Sequence, residues 1–156
     1  MMTKFPDSFR NSPSEKIELF NPSGLPVPIS PADAEVVLSA VESGEKISFA
    51  SIELVYTNEE GIVDINKTYL QRDYVTDIIS FRYDEEPGNQ AIEGTLYCCA
   101  PRITEQSAEF GTSPLQEYRR VLIHGLLHLA GYNDQSADEK SEMTRLEDHY
   151  LETFSK

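Results

Sequence analysis

Two histidines four residues apart, His124 and His128, are followed at short range by Gly131 and Asp134. On a helix, positions i and i+4 share one face, so both imidazoles project the same way. Gly131 can take the left-handed conformation that ends a helix, and the returning chain can then bring Asp134 to the same point. Asp134 also has a plainer reading, as a cap for that turn. Two imidazoles and a carboxylate with one coordination position left open are the ligand set of a catalytic zinc site. One Zn²⁺ held there would acidify a water or polarise a substrate oxygen. His124, His128 and Asp134 are therefore the candidate metal ligands.

The helix that must carry them is apolar nearly all round. Leu115, Leu122, Leu126 and Leu129 form one stripe, and Ile123, Leu127 and Ala130 another. Such a helix is buried, and buried imidazoles need partners. The spacing H-x3-H-x2-G-x2-D is that of the metzincin zinc proteases, whose third ligand is usually His. Those enzymes carry Glu directly after the first His as general base, and here that position is Gly125. The geometry points to zinc, while the missing base argues against ordinary peptide hydrolysis. A peptidase using an external base such as Glu142 or Glu147 is the weaker alternative.

The elements around this helix can be read from local signals. Lys16 to Phe20 and Ile47 to Thr57 read as strands. Ser30-Pro31-Ala32-Asp33 opens a helix with Ala34, Val37, Leu38 and Val41 facing inward. Asn58-Glu59-Glu60 starts another, with Ile62, Ile65, Asn66 and Tyr69 on one side. Thr76 to Tyr83 is expected as a strand and Ala91 to Cys99 as its hairpin partner, across an acidic turn over 84–89. Beyond Pro101 the chain reads as helical. One helix ends at Gly111, and Ser113-Pro114-Leu115-Gln116 is a capping box opening the histidine helix. Ser136-Ala137-Asp138-Glu139 is a second box, starting a last helix with Met143, Leu146, Tyr150 and Phe154 inward. The expected fold is α+β: a single domain over 15–156 after a flexible lead-in over 1–14, with a mixed sheet of about four strands, packed helices and a metzincin-like zinc helix.

Composition bounds the partners. With 27 Asp and Glu against 13 Lys and Arg, the 156-residue chain carries a formal charge of −14. That disfavours nonspecific coating of nucleic acid or anionic membrane, yet a bound cation and a few arginines can make one positive patch on an acidic body. No stretch approaches the roughly 20 apolar residues of a membrane helix, and the N-terminal segment does not read as a signal peptide. Cys98 and Cys99 are the only cysteines. Being adjacent, they are poorly placed for a disulfide, and in a strand they point to opposite faces. A reducing cytoplasm fits best.

Three blocks together resemble the bacterial YbeY family of metal-dependent endoribonucleases. They are His124-Gly-x-Leu-His128-Leu-x-Gly131-Tyr132; Ile65-Asn66-x-x-Tyr69 followed by Thr76-Asp77-x-x-Ser80-Phe81; and Glu93-Gly94-Thr95. The resemblance implies zinc-dependent, single-strand-specific cleavage of RNA in rRNA maturation, at the 16S rRNA 3′ end, and in ribosome quality control. It also implies rRNA and ribosomal small-subunit proteins or an assembly GTPase as partners, with neither DNA nor membrane. Three departures accompany it. The third ligand, commonly His, is Asp134; the arginine usual after the Tyr is Leu70; and Gly-Asp has become Gly94-Thr95. Arg72, two residues beyond Leu70, and Arg120, one turn before His124 on the same face, are the candidate catalytic arginines, because phosphate charge calls for a guanidinium. Asn66, Ser80 and Phe81 are the candidate substrate-binding residues, each with a plainer structural reading. Two non-nuclease readings stand beside this one: the peptidase above, and a non-enzymatic assembly factor with a structural zinc.

Overall fold

Runs of β-branched and aromatic residues build one four-stranded sheet. The computed structural model describes residues 16–83 and 91–154. The expected lead-in over 1–14 and the acidic turn over 84–89 lie outside the described residues. The strands are β1 (Ile17–Phe20), β2 (Ser48–Thr57), β3 (Ile78–Arg82) and β4 (Ala91–Cys99), and the helices are α1 (Pro31–Glu45), α2 (Glu59–Ile65), α3 (Ala100–Phe110), α4 (Pro114–Leu129) and α5 (Ala137–Leu151). In space the strands lie in the order β1-β2-β4-β3. β1, β2 and β4 run parallel, and β3 is antiparallel to β4. This is the single α+β domain with a mixed sheet that the sequence predicts.

The two faces of the sheet are covered unequally. Leu19, Ile52, Leu54, Leu96 and Cys98 face a core shared with α1, α4 and α5. Phe20, Val55, Ile79, Tyr97 and Cys99 face a smaller cluster closed by Ile62 of α2. The adjacent cysteines thus point to opposite faces, and both are buried and free. Burial pushes both thiols up, which removes them as nucleophiles at neutral pH.

Helix α4 sits at the centre. Its Tyr118, Val121, Leu122, Ile123, Leu126, Leu127 and Leu129 are all buried, and it packs on α1, α3, α5 and β3. Gly125 faces the sheet. A Cβ there would lie 2.5 Å from Ile78 Cδ1 and 3.0 and 3.1 Å from the Leu96 methyls. A side chain at this position would have to push those methyls aside, chiefly the Ile78 Cδ1.

Local chemistry fixes the ends. α1 and α5 both carry reciprocal capping boxes, at Ser30/Asp33 and Ser136/Glu139. At α4 only half of the expected box forms: Ser113 Oγ accepts from the Gln116 N–H at 3.2 Å, with no return bond from the Gln116 side chain. Two expectations differ at the edge of the sheet. The strand expected over Thr76–Tyr83 is shorter, since Thr76 and Asp77 precede β3, although the Asp77 carbonyl still accepts from Cys99 N–H at 2.9 Å. The helix after Asn58 does not stay α-helical. It widens into a π-helical turn over Asn66–Leu70 and closes with Gln71 in the left-handed region at φ 56°. Such widened turns cluster at functional sites, and this one faces the histidines across a cleft.

Candidate metal centre and its cleft

α4 presents His124 and His128 one turn apart. Gly131, at φ 112°, reverses the chain, with Tyr132 N–H bonding back to Leu127 O at 3.0 Å. That turn returns Asp134 over the helix end. The two Nε2 atoms are 2.9 Å apart. Asp134 Oδ2 lies 3.3 Å from His124 Nε2 and 3.4 Å from His128 Nε2. His124, His128 and Asp134 are the group among the described residues whose ligand atoms converge this way.

The protons on the two rings are set from behind. His128 Nδ1 is 2.9 Å from the Tyr132 carbonyl oxygen, which can only accept, so Nδ1 carries the hydrogen. His124 Nδ1 is 2.6 Å from Glu147 Oε2 and donates in the same way. Both Nε2 atoms of the neutral rings therefore present lone pairs to each other and to a carboxylate oxygen. Three acceptors converge with no donor among them, an arrangement that calls for a cation. The spacing suits one. Tetrahedral zinc with bonds of about 2.0–2.1 Å sets its ligand atoms about 3.3–3.4 Å apart, which matches the two Asp134 distances and is a little wider than the histidine pair. The negative surroundings also act on His124: burial lowers its pKa, but the Glu147 hydrogen bond and the charges of Glu147, Asp77 and Asp134 outweigh it, and the net shift is upward.

Glu147 is itself held. It is 7 % exposed and accepts from Arg120 Nη1 at 2.8 Å, while Arg120 Nη2 donates to Asp148 at 2.6 Å. The chain Asp148–Arg120–Glu147–His124 fixes the ring orientation and tautomer of His124. A carboxylate behind a metal-binding histidine is the usual outer support of such sites.

The centre opens into two lobes. The first, about 450 Å³, is walled by the Asn66–Leu70 turn, the loop after it, and β3; Arg72, Ser80 and Arg82 line it. The second, about 360 Å³, lies between α3, the start of α4 and α5. Asp77, His124 and Asp134 border both.

Several residues singled out in the sequence meet here. Arg72 is exposed on the first lobe, and its guanidinium has no ion pair among the described residues. Leu70 is 38 % exposed on the same wall. Asn66 is 1 % exposed, donates from Nδ2 to the Tyr74 carbonyl at 2.9 Å, and so ties down the loop that carries Arg72. Ser80 lines the cleft. Phe81 does not: on the opposite face of the strand, its ring packs edge-on against Tyr69 and Tyr97. Arg120 reaches the centre through Glu147. Tyr132 supplies a carbonyl to His128, and its hydroxyl donates to Glu45 at 2.5 Å. His149 is exposed on the far side of α5. Glu142, the other candidate for an external base, is paired with Arg145.

A sequence model of the family described as Endoribonuclease YbeY matches residues 31–155, a span that includes every residue of the centre. The chain belongs to the YbeY family. The Endoribonuclease YbeY of Chloroherpeton thalassium is 42 % identical over 120 residues, covering 75 % of this chain and 83 % of that protein. That of Chlorobium limicola is 38 % identical over 119 residues, covering 76 % and 80 %. Among solved structures, the solution structure of TM1509 from Thermotoga maritima is 25 % identical with a TM-score of 0.55, covering 88 % of this chain and 86 % of that one.

Sequence reasoning alone misses three carboxylates of this YbeY-family site. Glu147 reads there only as a hydrolytic base, yet it sits inside the apolar stripe Met143, Leu146, Tyr150 of α5, where an acid is out of place. Glu117 lies seven residues before His124 on the same face of α4, and it is buried. Asp77 stands at the junction of the lobes, and nothing in local periodicity marks it.

Proposed function

We propose that this chain is a zinc-dependent, single-strand-specific endoribonuclease that acts in the cytoplasm on rRNA, in 16S rRNA 3′-end maturation and ribosome quality control. The observation that carries this reading is the convergence of three metal-binding acceptors beside an arginine-bearing cleft, in a chain of a family named for RNA cleavage. A zinc ion held by His124, His128 and Asp134 would polarise a phosphoryl oxygen and supply a water of lowered pKa. The chain's own residues do the rest. Glu147 and the Tyr132 carbonyl keep both Nε2 lone pairs aimed at one point. Arg72 meets the charge that grows on the phosphate, in place of the arginine absent at Leu70. Arg120 contributes by holding Glu147. Asn66 and Ser80 shape the wall along which the strand lies, and Phe81 backs that wall from behind.

Gly125 weighs against the peptidase. The residue after the first histidine is a glycine that faces the Ile78 and Leu96 methyls, so the protease base is absent and a side chain there would crowd the core. A non-catalytic assembly factor docking on ribosomal small-subunit proteins or an assembly GTPase is favoured by Leu70 and by the −14 charge. Zinc-loaded protein offered single-stranded RNA, duplex RNA and casein separates the three. RNA cleavage restricted to single strands and abolished in His128→Ala is expected. Proteolysis without RNA cleavage, or rRNA maturation sustained by His128→Ala, would reverse the ranking.

A further inference from the structure

We propose that the second lobe of the cleft is a nucleobase pocket, in which Glu117 selects a base bearing an amino group next to the scissile phosphate. The proposal rests on the RNA-cleaving reading and adds to it where the base goes and which bases fit.

The lobe is built around an unpartnered acid. Glu117 is 3 % exposed and lines the lobe, and its carboxylate has no hydrogen-bond partner among the described residues. Its oxygens are open to the lobe, where solvent or a bound group must satisfy them. The nearby cation relieves the acid only in part, because the hydrogen bonds of Arg120 go to Glu147 and Asp148. Burial accordingly pushes the Glu117 carboxyl up, against the pull of Arg120, with the Asp77 and Glu147 charges adding to the rise. The other walls suit a flat apolar ring. Phe110, at the end of α3, is 65 % exposed at the rim, and Val121 and Met143 face the interior of the lobe. An exposed aromatic beside a strand-binding cleft is a stacking platform for a base.

The two lobes differ in charge. The first offers Arg72 to the phosphodiester backbone. The second carries Glu117, Asp77, Asp134 and Glu147 against Lys140 and an Arg120 already paired with Glu147 and Asp148, so its net charge disfavours phosphate and favours the uncharged base. Because Asp77, His124 and Asp134 border both lobes, a phosphate at the metal ligands places an adjacent base at the mouth of the second. A carboxylate only accepts hydrogen bonds. Adenine, cytosine and guanine each offer an amino donor; uracil flanks its one N–H with two carbonyl oxygens, which face the carboxylate repulsively.

The test uses zinc-loaded full-length protein with short oligo-A, oligo-C and oligo-U. Oligo-A and oligo-C are expected to be cleaved about tenfold more efficiently than oligo-U, the size of one good base contact. Glu117→Gln, whose carboxamide donates as well as accepts, is expected to bring oligo-U within about twofold of the others. Phe110→Ala alters an exposed ring and spares the fold, and it is expected to weaken binding of all three about tenfold by fluorescence anisotropy. Equal cleavage of the three RNAs by the wild-type protein would overturn the pocket and leave the nuclease standing. Discrimination retained in Glu117→Gln, or unchanged binding in Phe110→Ala, would also overturn it. Failure of the wild-type protein to bind or cleave any RNA would overturn the nuclease and the pocket together.

Discussion

The two sides of the cleft are built differently. On the α4–α5 side both histidines are locked: His128 by a backbone carbonyl, and His124 by Glu147, which Arg120 holds, itself paired with Asp148. On the facing side, Leu70 ends the π-helical turn in solvent, and the loop after it carries exposed Tyr74 and Val75 and an Arg72 with no ion pair among the described residues. One wall is preorganised for a small cation of fixed geometry. The other is a pinned but exposed loop, suited to a flexible polyanion whose contacts form only when it binds. Preorganisation is costly in buried polar groups, and it is spent where ångström precision matters.

Removing a ligand should break the contrast most severely. His128→Ala is expected to lose metal in elemental analysis and to lower RNA cleavage by more than about 100-fold, beyond the effect of an outer partner, while circular dichroism stays native. Glu147→Ala tests whether the locking itself matters: zinc affinity by competition with a chromophoric chelator should fall about 10–100-fold, with Glu147→Gln between it and wild type. On the opposite wall, Arg72→Ala should leave zinc affinity untouched and lower kcat/KM for RNA roughly 10–100-fold, the worth of a hydrogen bond to a charged group. Equal loss of metal in both variants would dissolve the distinction between the walls. Leu70→Arg, which adds a guanidinium to the same wall as Arg72, should raise RNA affinity.

The smallest effect belongs to Glu117 and is read in stability. Its raised carboxyl means that the folded chain holds that proton more tightly than the unfolded chain. The group is therefore neutral in both states below the ordinary glutamate range, and it destabilises the fold as pH rises through and beyond that range. Glu117→Gln is expected to stabilise the protein at pH 7 by about 1 kcal/mol in urea denaturation. The gain should vanish below about pH 4. A gain independent of pH would show that packing, not charge, is responsible.

The sequence shows one wall far more clearly than the other. The i, i+4 histidines, the helix-ending Gly131 and the serine caps are local signals, and local geometry realises them almost unchanged. The core face of α1 and the β3–β4 hairpin arise from apolar periodicity in the same way, whereas the parallel pairing of β1, β2 and β4 leaves no local signal. Glu147 acts on His124 across 23 residues of chain, and Glu117 and Asp77 meet only when α4 docks on the sheet, so no window of sequence could join them. The π-helical turn is hidden because one extra residue per turn leaves the apolar pattern of α2 intact while rotating the residues beyond it. Phe81 reads as a substrate-side residue because strand alternation gives two faces without saying which one the cleft adjoins.

The tight seat of Gly125 has a consequence for what this scaffold can become. A glutamate at that position would convert the helix to the protease pattern, but the change alone collides with Ile78 and Leu96. The terminal methyls of both side chains would have to swing aside, a crowding worth about 1–3 kcal/mol in a packed core. The path from this hydrolase to a peptidase therefore starts uphill. Gly125→Glu alone is expected to lower stability in urea denaturation, and Ile78→Val beside it should recover part of the loss.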